Sequence, residues 1–126
     1  MTPMKVLQQH QDLCNELHQF TLEENSFLQQ HRRAPDASFL DRKKTLLARL
    51  DESLAALRTV PRNGEEGAPF RVLLDKTRAK VLQILQLDRE NEQLLLRFSL
   101  AGATGATPAP SAPSASMLQK IYQRHR

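Results

Sequence analysis

From Val6 onward the chain carries a seam at alternating spacings of four and three: Val6, His10, Leu13, Leu17, Phe20, Glu24, Phe27 and His31. A two-residue strand period cannot hold such a set on one face, whereas a helix places all eight along one narrow stripe. The seven-residue repeat further asks for a second helix packed lengthwise at a shallow angle. Leu7, Cys14 and Leu28 widen the stripe. Thr2 followed by Pro3 reads as an N-cap and first helical position. The helix is expected to stop near Arg33, because Ala34 precedes Pro35 and is pushed out of the α region.

Two further segments repeat the pattern. Asp36 or Ser38 is expected to cap a second helix, Ser38 and Asp41 being spaced like a capping box. Leu40, Leu47, Leu50, Leu54 and Leu57 form its stripe, broadened by Phe39 and Leu46. The short link to the first helix makes the two antiparallel neighbours. "TVPRNGEEGAP", residues 59–69, reads as a loop through its prolines, glycines and Asn-Gly pair. A third helix is expected from about Pro69, with Phe70, Leu74, Thr77, Val81, Ile84, Asp88, Asn91, Leu95 and Phe98 on its seam and Leu73, Leu85 and Leu94 beside it. It would be about 45 Å long, with Gly102 placed to cap its C-terminus. The polar seam residues Thr77, Asp88 and Asn91 are expected to be partly exposed where the helices part.

The predicted fold is therefore all-α: an antiparallel bundle of three helices, long–short–long, over residues 1–100. Abundant Leu, Gln, Glu, Lys and Arg with few aromatics and no tryptophan agree with it. Unequal rods leave part of the long seams uncovered, to be filled by a partner, a second copy or the chain's own tail. Residues 101–116, "AGATGATPAPSAPSAS", read as a flexible Pro/Ala/Ser linker whose r.m.s. span is about 22 Å. Residues 117–126 form a short amphipathic segment in which Met117, Leu118, Ile121 and Tyr122 share one helical face. Ten residues do not hold a helix alone, but they can order by laying that face in a groove.

The formal net charge of +4 is concentrated in that tail. Residues 1–100 carry fifteen Lys and Arg against fourteen Asp and Glu; Lys120, Arg124 and Arg126 supply the rest. A balanced body and three tail cations make a thin footprint for nucleic acid, so none is expected as a partner. The single cysteine, Cys14, excludes an internal disulfide and fits a reducing compartment. "MTPMKVLQQHQ" lacks the apolar core of a secretory signal, and no apolar run is long enough to insert in a membrane. A cytoplasmic protein is expected.

No catalytic residue, cofactor site or metal site emerges. His10, Cys14 and His18 stand at successive i+4 steps, but each step drifts by about 40°, so they do not converge on one ion. They read as a seam histidine, a core thiol and a solvated histidine. Glu23 and Glu24 are consecutive and face different ways. The basic clusters "QHRR" at 30–33 and "DRKK" at 41–44 have acids nearby and read as solvated surface.

"FLDRKKTLLARLDESLAAL", residues 39–57, and "LQLDRENEQLLLRFSL", residues 85–100, resemble FlgN-type flagellar export chaperones. In the second stretch Asp88, Asn91, Leu94 and Leu95 take the places of that family's recurring polar residue, Asn and leucines; Asp88 departs from the usual Asn. The resemblance implies a non-enzymatic, cytoplasmic type III export chaperone. It would bind hook-associated proteins through their C-terminal segments and deliver them to an export-gate component. Leu94, Leu95 and Phe98 would be the client contacts, with Met117, Leu118, Ile121 and Tyr122 as a second set, the protein being a monomer or homodimer. The alternative is a homodimeric coiled-coil adaptor with no secretion role, its seams completed by a second copy.

Overall fold

The computed structural model describes residues 2–60, 67–102 and 117–125, and over them the chain is all-helical. Four helices follow in order: α1 Pro3–His31, α2 Ala37–Thr59, α3 Ala68–Gly102 and α4 Met117–Arg124.

The helix ends follow local chemistry. Thr2 caps α1, its Oγ1 accepting the Lys5 N–H at 3.2 Å. The helix closes at Arg32, which adopts the left-handed region at φ 52° while its N–H reaches the Leu28 carbonyl at 3.0 Å. This is one residue ahead of the expected stop, because the chain must turn before Pro35 restricts Ala34. Asp36, not Ser38, caps α2: its carboxylate accepts the Phe39 N–H at 3.1 Å and the Ser38 hydroxyl at 2.8 Å. With Ser38 engaged there, its spacing to Asp41 makes no capping box. α3 starts at Ala68 and remains helical through Gly102, two residues into the stretch expected to be linker. The remainder of that linker, 103–116, and loop residues 61–66 lie outside the described residues.

α1 is the central element, packing on both α2 and α3. Its pairings with α2 run in opposite senses: Glu24 with Lys43, Glu16 with Arg49 and His10 with Ser53. Those with α3 run in the same sense: Gln11 with Thr77, His18 with Lys80 and Asn25 with Asn91. The core gathers Leu13, Cys14, Leu17 and Phe20 of α1, Leu46, Leu47 and Leu50 of α2, Ile84 of α3, and Leu118 and Ile121 of α4. Burying such side chains contributes about 1.5–3 kcal/mol each.

One leucine expected on the α2 seam is not there: Leu40 is 44% exposed. Phe39 takes the inward position, its ring centroid 4.5 Å from that of Phe20 and 6.3 Å from that of Phe27. Consecutive helical residues lie about 100° apart, so turning Phe39 inward turns Leu40 out. At the end of the α1 seam Phe27 is half-buried, and His31 is exposed, its ring tilted against that of Phe27 at a centroid distance of 4.5 Å.

Candidate functional site

Among the described residues, the backbones of α2 and α3 never approach each other; α4 lies between them and packs on both. Unequal helices are expected to leave the long seams uncovered; the gap is instead a groove between α2 and α3, whose backbones do not meet, and its occupant here is the tail. Leu118 and Ile121 are buried in it, Tyr122 is half-buried and Met117 stays exposed. Three of the four residues expected to contact a client with the tail therefore face the chain's own core.

Tyr122 reaches deepest in chemical terms. Its hydroxyl is buried beside the Cys14 thiol, with no better partner. Burial pushes the Cys14 thiol up to about 11, against the opposing influence of Tyr122 and Lys80; burial likewise pushes the Tyr122 phenol well above its usual value. Both groups stay neutral at physiological pH, which makes Cys14 a packing residue and a poor nucleophile. His10 Nε2 lies 3.5 Å from the same sulfur. The rim of the groove is ionic. Asp51 of α2 accepts from His125 at 2.6 Å and from Arg124 at 3.3 Å, and Arg58 donates to His125 Nδ1 at 3.3 Å. The hydrogen bond from His125 is the main reason the Asp51 carboxyl is held below its ordinary value.

Beside the groove lies a buried polar cluster. Thr77, Asp88 and Asn91, expected to be partly exposed, are instead 4%, 2% and 2% exposed. Each is buried because it finds partners on a neighbouring turn or helix. Thr77 donates to the Leu73 carbonyl at 2.8 Å and is also bonded to Gln11. Asn91 donates to the Thr21 carbonyl at 3.0 Å and to Glu24 at 3.3 Å, and accepts from Asn25 at 2.8 Å. Lys43 joins three helices, reaching Glu24 at 3.2 Å and Asp88 at 3.5 Å. Burial alone would lower the Lys43 ammonium; the two carboxylates outweigh it and hold the group above its ordinary value. The remaining Asp88 oxygen, Oδ2, is buried without a partner.

Glu92, one turn beyond Asp88, feels this negative surplus. Partial burial first, and then Asp88 and Glu24, raise its carboxyl above the ordinary value, with Lys43 and Lys120 opposing. A carboxyl whose folded pKa is raised costs stability once ionised, a cost absent below its unfolded pKa. Glu92→Gln is therefore expected to stabilise the fold at pH 7. Solvent screening at this site limits the gain to a few tenths of a kcal/mol. The gain should vanish below about pH 4 in thermal melts of both proteins across that range.

The other expected contact set, Leu94, Leu95 and Phe98, is half-buried near the end of α3. Leu96 and Leu100 between and beyond them are 46% and 56% exposed. By the Asn25–Asn91 register, His31 stands level with Arg97, so the last turn of α3 runs past the end of α1. The basic clusters divide. Arg42 pairs with Glu23 and lies over the Phe20 and Phe39 rings, Arg33 lies over Phe27, and Lys43 turns inward. His18 is half-buried rather than solvated, accepting from Lys80 at 3.3 Å.

Among the described residues no three His, Cys, Asp or Glu side chains come together in a way that could hold a metal, and no helix is long and apolar enough to cross a membrane. No family model matches the chain, and neither a curated protein nor a solved structure matches it.

Proposed function

We propose that the chain is a non-enzymatic export chaperone of FlgN type. In this reading α1–α3 form an antiparallel, long–short–long three-helix bundle that holds the C-terminal segments of hook-associated proteins in the cytoplasm and passes them to the export gate. The observation that carries the reading is the apolar end of α3. Leu96 and Leu100 face solvent beside half-buried Leu94, Leu95 and Phe98, where α3 runs along the last turn of α1 and then beyond its end. Clustered exposed apolar side chains of this kind mark interaction surfaces, and an apolar helix face suits an amphipathic client segment.

Calorimetric titration of the full-length protein with purified hook-associated subunits tests it. Binding at micromolar affinity or tighter is expected, lost when the subunits lack their C-terminal segments. Leu96→Asp with Leu100→Asp should weaken it at least tenfold without lowering Tm, since both side chains are exposed. No heat with intact subunits would sink the reading.

The homodimeric adaptor remains the second reading, favoured by Val72 and Leu82, which are also exposed along α3. Light scattering separates the two: a stable dimer with no affinity for subunits supports the adaptor.

A further inference from the structure

The contact between α4 and its groove differs from the rest of the core in how it is held. A helix of eight residues is not stable in water by itself, so the helicity of α4 depends on docking. Its apolar hold is small: Leu118, Ile121 and Tyr122, at i, i+3 and i+4. Its polar hold is the solvent-accessible ion pair of Arg124 with Asp51, which contributes little on its own, and one hydrogen bond from the largely buried His125 to the same carboxylate. Fourteen residues, 103–116, separate it from α3. A tether of that length supplies an effective concentration on the order of millimolar, enough to keep a weak ligand seated without making it permanent.

We propose that the α2–α3 groove is a docking surface for an amphipathic helix of a partner protein, and that α4 is the tethered occupant this helix displaces. The seated α4 defines the partner's chemistry. It must present an apolar triad at i, i+3 and i+4 to Leu47, Leu50 and Ile84. It must also place a basic side chain where Arg124 meets Asp51. Displacing α4 uncovers Cys14, the only thiol in the chain, from beneath Tyr122. The inference does not depend on the client being a hook-associated protein, so it and the reading above fail separately.

The probe is a fluorescent peptide of residues 106–126, tested on the full chain and on the full chain carrying Leu118→Asp with Ile121→Asp. The peptide should bind the double variant at least tenfold more tightly than the unaltered protein. Iodoacetamide should alkylate Cys14 at least tenfold faster in the double variant, and saturating peptide should restore the slow rate. Equal binding to both proteins, or no protection of Cys14 at millimolar peptide, overturns the proposal. Amide exchange on the unaltered chain gives a measurement that needs no variant. Residues 118–124 should exchange at least a hundredfold faster than the buried amides of α1; exchange of α4 only with global unfolding overturns the proposal as well.

Discussion

Replacing Lys43 by alanine is expected to cost about 3–5 kcal/mol of stability at pH 7. The Lys43 ammonium is the only cation bonded to the carboxylates of Glu24 and Asp88 among the described residues, and both carboxylates are nearly inaccessible to water. Removing it leaves two buried negative charges side by side, with Asp88 Oδ2 already lacking a partner. A buried charge left unpaired is far more costly than the net worth of the pair. The sign of the pH dependence follows from the raised Lys43 value. A base with a raised folded pKa contributes its full stability below the unfolded pKa and loses it only as pH rises through the folded one. The whole contribution is therefore present at neutral pH. Urea unfolding at pH 7 measures it, and a loss below 1 kcal/mol would mean that water, not Lys43, satisfies the carboxylates. The matching control is Lys43→Met together with Glu24→Leu and Asp88→Leu. Swapping the whole cluster for apolar groups is expected to be near neutral or stabilising, which separates breaking the network from replacing it.

That cluster also marks where the sequence stops being readable. The long seams of α1 and α3 were legible because a 4–3 spacing sustained over so many turns admits only a helix packed lengthwise. Asp88 and Asn91 occupied seam positions from the start, yet whether they were buried depended on what stood opposite. Their partners, Glu24, Asn25 and Thr21 on α1 and Lys43 on α2, are fixed by interhelical register, which no local pattern encodes. Lys43 itself was hidden in "DRKK". Steps of about 100° send Arg42 over the aromatic rings and Lys43 inward, while Lys44 stays exposed. Similarly, the amphipathic face of Met117–Tyr122 and the reach of its tether could be read from the chain. An uncovered seam was expected as well, but its place was not legible, because the gap between α2 and α3 arises only once both have packed on α1.

The second large effect concerns His10. Its Nδ1 lies 2.7 Å from the Ser53 hydroxyl, its Nε2 faces the Cys14 sulfur, and the ring is almost wholly buried. Burial without a carboxylate partner lowers its pKa from 6.5 to about 4. A base whose folded pKa is depressed is neutral in the fold while the unfolded chain binds the proton. Stability therefore falls as pH drops below 6.5 and levels off only below 4. From that shift the loss is about 2 kcal/mol by pH 5 and about 3 kcal/mol by pH 4. His18, lowered more weakly by desolvation and Lys80, adds in the same direction; the raised Glu92 carboxyl works against both. His10→Gln isolates the main contribution. The variant should lose stability at pH 7, where the bond to Ser53 is perturbed, yet show a flatter profile between pH 6.5 and 4. Following the His10 Cε1 proton by NMR gives the site directly, with a midpoint expected near 4. A midpoint near 6.5, or identical pH profiles for the two proteins, would show that water reaches the ring and that the α1–α2 face opens around it.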